Sequence, residues 1–273
     1  MRLLQSVAAQ TGMAIENSRL SAAIAREVAQ RERLNREIEI AREVQERLFP
    51  QQLAKITGVD YAGACRPALG VGGDYYDFIA LAGGGLGIAI GDVSGKGIGA
   101  ALLMASLQAS LRGQTIQDAS DLAKVMGNIN RLVYDASPSN KYATFFYGQY
   151  DPVTRRLTYV NGGHNPPVIL RRKEVIRLET GGPVVGLFRP AIFEQGALVL
   201  EPGDVLVGFT DGISEAMNHD DEEWGEERLL PAIEACAERS ALDMIPVLMA
   251  AADAFVDGAP QHDDMTIVVV KVL

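Results

Sequence analysis

Five aspartates that could hold a metal ion lie beside glycines, turns or predicted strand ends. They are Asp74, Asp92, Asp211, Asp263 and Asp264. Carboxylates in such places, with glycines that let the backbone approach closely, suit hard divalent cations such as Mg²⁺ and Mn²⁺. A single carboxylate of this kind usually caps a turn. Its recurrence in similar settings along one chain points instead to a metal-dependent hydrolase.

The glycine-rich segment at residues 91–101 follows a predicted strand and precedes a predicted helix, so it invites comparison with nucleotide-binding loops. A P-loop requires glycine where Ile90 stands and Ser or Thr where Gly97 stands, so that interpretation fails. Gly95, Gly97 and Ala100 match the dinucleotide fingerprint formally. Two predicted helices and then antiparallel strands follow, however, and this order disfavours a dinucleotide site.

The composition of the 273-residue chain favours one large core and excludes several classes of partner. Apolar residues make up 48% of the chain, and the formal net charge is −10. The absence of a basic stripe with interleaved aromatic residues argues against nucleic acid and against an anionic membrane. Cys65 and Cys236 lack metal-ligand spacing, no signal peptide is visible, and the apolar segments fall short of the roughly 20 residues that span a bilayer. We therefore expect a cytoplasmic protein.

Residues 1–50 are predicted to form a projecting helix ahead of a domain at 51–273. The stretch from residue 13 to 49 contains neither glycine nor proline, and Pro50 ends the helix because it lacks an N–H. Such a helix would be roughly 70 Å long, whereas the following domain has an expected radius of gyration of about 17 Å. A parallel homodimer is favoured, and an antiparallel helix folded on its own domain is the alternative. The seam follows steps of four and three: Leu20, Ile24, Glu27, Arg31, Leu34, Ile38, Ala41, Gln45 and Leu48.

Beyond Pro50, short apolar alternations divided by glycines and turn residues predict strands and paired helices. Because helices come in blocks between blocks of strands, the predicted class is α+β with mainly antiparallel sheets. The second helix should pack on the first through Leu122, Val125, Ile129 and Leu132. The predicted strands lie near 59–67, 74–81, 85–92, a meander at 143–151, 155–161, 167–172, 174–179, 195–200 and 204–210, and 265–272; the predicted helices lie near 97–112, 119–136, 225–238 and 241–256.

Five segments in order resemble the motifs of the metal-dependent protein phosphatase (PPM) family, and more narrowly its bacterial RsbU- and SpoIIE-like serine/threonine phosphatases. They are Val71–Phe78, Gly91–Gly97, Asn161–Pro166, Phe209–Glu215 and Asp263–Thr266. The resemblance runs from about residue 42 to the C-terminus. It implies a sandwich of two antiparallel β-sheets flanked by helix pairs, behind the long N-terminal helix. It also implies an enzyme that uses two Mn²⁺ or Mg²⁺ ions.

The resemblance assigns candidate site residues. Four carboxylates would be the catalytic metal ligands, with Asp92 bridging the ions and Val93 contributing its backbone carbonyl. Asp264 falls where many relatives carry asparagine and would stand behind the ligands. Arg66, like Lys96, would meet substrate phosphate or lie solvated, and His164 would serve the site or be a turn histidine. The four ligands are Asp74, Asp92, Asp211 and Asp263.

The same resemblance implies partners. The substrate would be a phosphorylated partner-switching regulator, such as a STAS-type anti-sigma-factor antagonist. Residues 4–20 resemble the closing helix of a GAF sensor domain, which would precede this chain in a longer protein. The two helices after Gly97 would then form a two-position element through which the N-terminal helix sets metal affinity. The alternative function is a catalytically silent module that uses the same fold only to bind a partner.

Overall fold

The computed structural model describes residues 1–115, 121–138 and 140–273, while the side chains of residues 2–11 and 14 lie outside this description. Residues 119 and 120, where the second predicted helix begins, also lie outside it. The chain divides into two compact units, Met1–Val44 and Gln45–Leu273. No helix in the part of the chain that the structure describes is long and apolar enough to cross a membrane.

The first unit consists of most of one long helix. The last residues of that helix belong to the second unit. Helix α1 runs over Arg2–Glu46. Leu20, Ile24 and Leu34 of the predicted seam are each more than half exposed. The seam does not continue to its predicted end, because Gln45 is buried within the second unit and Leu48 packs against that unit's core. Phe49 stacks on Tyr76 at 5.2 Å between ring centroids, which anchors the chain where the helix has ended.

The described strands of the second unit form two sheets. The first sheet has the order β1-β11-β10-β6-β7, and the second has β2-β3-β4-β5-β8 with β9 also on β5. Pairing is antiparallel except between β5 and β8. The bounds are β1 (Val59–Arg66), β2 (Tyr75–Ala80), β3 (Leu86–Val93), β4 (Ala143–Asp151), β5 (Arg156–Gly162), β6 (Val168–Arg171), β7 (Glu174–Arg177), β8 (Gly181–Gly182), β9 (Gly196–Val199), β10 (Val205–Phe209) and β11 (Met265–Val272).

Helices cover both outer faces of the sandwich. Alternate strand residues such as Ile88, Phe146 and Val268 fill the space between the sheets, as expected when each strand buries both of its faces. A second apolar cluster joins α2 and α3 to the sheet of β3 and β4, and a third joins α5 and α6 to the sheet of β10 and β11. The predicted α+β sandwich with flanking helix pairs is confirmed. The helix bounds are α2 (Ile98–Thr115), α3 (Leu122–Ala136), α4 (Asp211–Ser214), α5 (Glu226–Cys236) and α6 (Ala241–Val256).

Two sequence predictions about this unit were wrong in detail. The strands from 143 to 210 are not one meander, because β6, β7 and β10 join the sheet of β1 while β4, β5, β8 and β9 join the sheet of β2. Leu132 does not extend the apolar stripe of α3, since it is 46% exposed. Val133 is buried in its place. Leu122, Val125 and Ile129 are buried against α2 and the sheet, as predicted.

Candidate metal centre

Both sheets deliver carboxylates to the same end of the sandwich. Asp74 immediately precedes β2 and Asp92 is the penultimate residue of β3, in one sheet. Asp211 opens α4 just after β10, and Asp263 lies two residues before β11, in the other sheet. The two carboxylates of each sheet come from neighbouring strands. The charges of Asp211 and Asp263 repel that of Asp92, so the carboxylates of the two sheets lie near one another. The four predicted ligands therefore converge, although almost two hundred residues separate the first from the last.

Asp74 is held from the opposite sheet by two threonines. Its side chain is 2% exposed. Its Oδ2 accepts a hydrogen bond from Thr210 Oγ1 at 2.8 Å and another from Thr266 Oγ1 at 2.6 Å. The Thr210 hydroxyl oxygen in turn accepts from the Thr266 backbone N–H at 3.0 Å. These bonds fix one oxygen of the carboxylate, and Asp92 is near enough for its charge to raise the pKa of Asp74, after burial.

Gly73 makes room for the backbone beside Asp92. A Cβ at this position would lie 2.5 Å from the Val93 carbonyl oxygen and 3.2 Å from Asp92 Oδ1. The Val93 N–H donates to the Gly73 carbonyl at 3.3 Å, which keeps the two segments together. The Val93 carbonyl and the Asp92 carboxylate thus face a common space that any side chain at residue 73 would fill. Close backbone approach of this kind is a frequent reason for glycine in a site.

Asp264 holds in place the glycine loop, the segment of Gly72 and Gly73 that precedes Asp74. It is 6% exposed, and its carboxylate oxygens accept from the backbone N–H groups of Ala68 at 2.8 Å and Gly73 at 2.7 Å. At Gly72 a Cβ would overlap this carboxylate. Because both oxygens are already engaged, Asp264 is suited to positioning the loop that carries Asp74 rather than to ligating an ion directly.

Lys96 is the cation nearest the carboxylates. Its Nζ lies 2.9 Å from Asp263 Oδ2 and also donates to the His262 carbonyl. The same ammonium lowers the pKa of Asp211, which burial and the Asp263 charge otherwise raise. Lys96 is about half exposed. It therefore compensates part of the negative charge at the edge of the site.

Asp74 and Asp92 hold protons more tightly than isolated carboxylates do. The pKa of Asp92 is raised to about 7, first by burial and then by repulsion from Asp211, Asp263 and Asp264. The pKa of Asp74 is raised well above its ordinary value, by burial first and by the Asp92 charge second. Buried carboxylates that repel one another behave in this way until a cation compensates them.

The carboxylate and carbonyl oxygens at the site suit hard divalent ions, although the side chains alone do not complete the coordination of an ion. Carboxylate and backbone carbonyl oxygens are the ligands that Mg²⁺ and Mn²⁺ prefer. Among the residues that the structure describes, no three His, Cys, Asp or Glu side chains are close enough to hold an ion by themselves. Ion binding must therefore draw the side chains inward or use water and the Val93 carbonyl to complete the coordination.

Two other predicted site residues are engaged elsewhere. Arg66 forms a two-pronged ion pair with Asp253 of α6, at 2.6 and 2.8 Å. His164 is 4% exposed, and its Nδ1 lies 3.0 Å from Thr144 Oγ1. Thr144 is the strand partner of Asp92, so the histidine stands behind the site. Burial lowers the pKa of His164 to about 4, which keeps the ring neutral. Neither side chain points to a role in holding substrate phosphate.

Sequence reasoning missed the residues that fix the candidate ligands. Thr210 and Thr266 lie in two of the motifs described above. Thr210 directly precedes Asp211 and Thr266 is two residues after Asp264, and this closeness to aspartates is the signal that could have identified them. Asp77 ends another motif and is completely buried. Its carboxylate accepts two hydrogen bonds from Arg112 of α2, at 2.8 and 2.9 Å, and one from the Tyr75 hydroxyl. This group ties β2 to the second half of α2.

Comparison of the fold defines the class of protein. The SiaA PP2C domain of Pseudomonas aeruginosa matches 90% of this chain and 99% of its own, with a TM-score of 0.79 at 19% identity. The RsbU and RsbW domains of Rv1364c from Mycobacterium tuberculosis match with a TM-score of 0.64 at 25% identity, over 80% of this chain and 60% of that one. The catalytic domain of the serine/threonine protein phosphatase PstP, solved with two manganese ions, matches with a TM-score of 0.59 at 16% identity, over 79% of this chain and 98% of its own. The fold is that of PP2C-type phosphatase domains.

The chain belongs to the SpoIIE family. The family described as Stage II sporulation protein E (SpoIIE) matches residues 82–273. Protein IcfG of Synechocystis is 31% identical over 263 residues, which cover 86% of this chain and 41% of IcfG. Phosphoserine phosphatase RsbU of Bacillus subtilis is 33% identical over 181 residues, covering 66% of this chain and 53% of RsbU. The chain thus spans about half the length of these relatives. The predicted resemblance to the bacterial PPM branch is confirmed.

A pH dependence follows from the raised pKa values. Between about pH 4 and 7 the folded, metal-free protein holds protons on Asp92 that the unfolded chain releases, so its stability falls as pH rises through this window. Metal ions compete with the same protons, so Mn²⁺ affinity should rise from pH 6 to pH 8. We expect calorimetric titration to show this rise. In chelator, the melting temperature of Asp92→Asn should exceed that of wild type by more at pH 8 than at pH 5.5. A difference independent of pH would contradict the assignment.

Proposed function

We propose that this chain is a metal-dependent protein serine/threonine phosphatase. The observation that carries the proposal is the convergence of Asp74, Asp92, Asp211 and Asp263 from two sheets around the space that Gly73 keeps open. Family membership agrees with it, because the relatives RsbU and RsbP are named phosphoserine phosphatases. PstP, of similar fold, binds two manganese ions. Two Mn²⁺ or Mg²⁺ ions are the proposed cofactors here.

Each side chain then has a defined task. Asp74, Asp92, Asp211 and Asp263 would hold the ions, together with the Val93 carbonyl. When bound, the ions would supply an activated water and compensate charge on the transferred phosphoryl group. Thr210 and Thr266 keep the Asp74 carboxylate aimed at the site by binding its other oxygen. Asp264 keeps the loop rigid, and Lys96 compensates Asp263 until an ion does so.

The direct test is turnover of a phosphoserine peptide with added Mn²⁺. The 273-residue chain should release phosphate from the peptide and stop when the ions are chelated. Activity should return when Mn²⁺ is restored in excess. If metal binds without any phosphate release, the alternative of a catalytically silent partner-binding module is correct. If neither is seen, both proposals fail.

The proposed substrate is a phosphorylated regulator of a partner-switching system, such as a STAS-type anti-sigma-factor antagonist. The support is the family relation to RsbU, together with the fold match to a protein that joins RsbU and RsbW domains. Candidate antagonists phosphorylated on serine should be dephosphorylated faster, at equal concentration, than a peptide cut from the same site. Equal rates would argue that the folded regulator is not recognised.

A parallel homodimer through α1 is the proposed assembly. Leu20, Ile24 and Leu34 on the predicted seam are more than half exposed, and such a stripe is stabilised by a second copy. Leu34→Glu should convert the dimer into a monomer, as measured by light scattering at micromolar concentration. Ile40→Glu is the matched control, because Ile40 is 62% exposed but lies off the seam. A wild-type monomer with an intact helix would refute the dimer.

Regulation through α1 is proposed to act on the glycine loop. The side chain of Gln45, in the last turn of α1, donates to the Gly72 carbonyl at 2.7 Å and accepts from the Gly72 N–H at 3.1 Å. Gly72 precedes the glycine that faces Asp92 and Val93. A rotation of the helix, driven by an upstream GAF-type domain, would therefore move the loop that carries Asp74. The two-helix element formed by α2 and α3 would respond through Arg112 and Asp77.

Gln45→Met tests this connection. The change removes both hydrogen bonds and leaves the Gly72 N–H and carbonyl without their partner, so Mn²⁺ affinity should fall roughly tenfold, within the range of coupling between sites. Gln51→Met is the matched control, because the Gln51 amide binds only carbonyls at the end of α1. Calorimetric Mn²⁺ titration gives the readout. Equal affinities in the two variants would disconnect the helix from the site.

A further inference from the structure

A cavity opens beside the candidate metal centre, on the side of Asp263. Its volume is about 360 Å³, and both Gly212 and Asp263 contribute to its wall. The remaining wall comes from the segment after α4, from the C-terminal end of α6 and from the loop that leads to Asp263. Residues next to a phosphoserine bound at the carboxylates would therefore be within reach of this cavity. None of the tasks given above to the site residues uses it.

The wall of the cavity is mainly apolar and partly adaptable. Met217, Val256, Ala259, Pro260 and Met265 line it. Two of the five are methionines, whose unbranched side chains adjust to the shape of an apolar ligand. Pockets that bind ligands are commonly lined in this way, with a few polar groups that fix orientation. The volume of about 360 Å³ admits a large aliphatic side chain together with the backbone beside it.

The charged groups around the cavity are mostly compensated from within the protein. Arg66 is paired with Asp253 at 2.6 Å, and Asp263 with Lys96 at 2.9 Å. The amide of Gln261 donates to the carbonyls of Arg66 and Asp263. These groups therefore do not demand a charged ligand.

One acidic group at the cavity acts against acidic ligands. Glu215 is exposed on its wall. Repulsion between Glu215 and the nearby Asp211, Glu223 and Asp263 already disfavours further negative charge there. A further carboxylate brought into the cavity would add to this repulsion, so an acidic residue of the substrate is disfavoured there.

We infer that this cavity is a subsite for an apolar side chain close in sequence to the phosphorylated serine or threonine of the substrate. The inference rests on the proposed phosphatase function and deepens it, since it assigns a sequence preference to the enzyme. Val256 and Met217 would contact the aliphatic side chain while the phosphate lies at the carboxylates. The preference would be for leucine or methionine over alanine, and for alanine over aspartate.

The test compares phosphoserine peptides that differ at one position. On an alanine background, leucine or aspartate is placed in turn at each of three positions on either side of the phosphoserine, and kcat/KM is measured with Mn²⁺. At one position, leucine should raise kcat/KM about tenfold over alanine, as burial of a few methylene groups permits. Aspartate at that position should lower it. Equal values at every position would overturn the subsite.

Filling the cavity gives the second arm. Val256→Trp should abolish the preference for leucine, whereas Leu242→Trp, at an exposed position on the same helix, should retain it. Both variants should hydrolyse p-nitrophenyl phosphate like wild type, because this small ester does not reach the cavity. Retained leucine preference in Val256→Trp would place the subsite elsewhere. Failure of the wild type to hydrolyse any phosphate ester would overturn the proposed function itself, and with it the subsite.

Discussion

Asp92→Asn should lower phosphoserine peptide turnover about a thousandfold or more, because losing one of the proposed metal-holding carboxylates would remove several kcal/mol of transition-state stabilisation. Burial raises the pKa of Asp92, and the charges of three other carboxylates, Asp211, Asp263 and Asp264, raise it further. Asparagine has nearly the same shape but carries no charge, so it would bind divalent cations more weakly than aspartate. Calorimetry should show the loss of at least one Mn²⁺ ion.

The fold should survive this change. Removing one charge reduces the electrostatic repulsion among the carboxylates of the metal-free protein. The melting temperature of the variant in chelator should therefore equal or exceed that of wild type. The exposed Asp220 supplies the matched control, and Asp220→Asn should leave turnover and metal binding unchanged. Near wild-type turnover by Asp92→Asn with Mn²⁺ would show that the site lies elsewhere.

Gly212→Ala is expected to damage both stability and metal binding. A Cβ at Gly212 would overlap the backbone carbonyl of Asp264. Because the obstacle is backbone rather than a flexible side chain, the strand end that carries Asp211 and the loop that carries Asp263 must separate. Overpacking of this kind costs about 1–3 kcal/mol, which lowers the melting temperature by roughly 2–12 °C for a domain of this size. Mn²⁺ affinity should fall with it.

Gly127→Ala provides the control for that experiment. Gly127 lies within α3, and a Cβ there would meet no atom within 4 Å. Alanine should therefore stabilise the helix by about 0.5–1 kcal/mol, since it reduces the conformational freedom of the unfolded chain. Metal affinity should not change. A Gly212→Ala protein as stable as wild type, with equal Mn²⁺ affinity, would mean that the two segments tolerate separation.

The strands and longer helices could be predicted because their information is local. Apolar alternation marks β3 and β11, and the contrast between residues 2–48 and the remainder marks α1. Pro50 fixes the end of that helix within a few residues. The aspartates could be grouped because each lies beside glycine or a strand end. Such patterns reflect the period of a strand or a helix, which is visible in one sequence.

Other features depend on contacts that no local pattern encodes. The distribution of strands 143–210 over two sheets follows from pairings such as β6 with β10, which are distant along the chain. Helix α4 has only four residues, too few to show a period. Leu132 and Val133 are adjacent apolar residues, and only the packing of α3 in the folded domain distinguishes the buried Val133 from the exposed Leu132. The threonine hydroxyls that hold Asp74 become partners only after the sheets have stacked.

The origin of the carboxylates in both sheets has a mechanical consequence. Asp74 and Asp92 move with one sheet, whereas Asp211 and Asp263 move with the other. Ions bound between them would link the two sheets. Metal binding should therefore slow amide hydrogen exchange at the ends of β3 and β10 together. A shift of one sheet against the other by a fraction of an ångström would change the distances between the two pairs of carboxylates and weaken ion binding. The distances within each pair would stay the same. Such a shift would also act on the loop that carries Asp74, because Thr210 and Thr266 bind Asp74 from the opposite sheet.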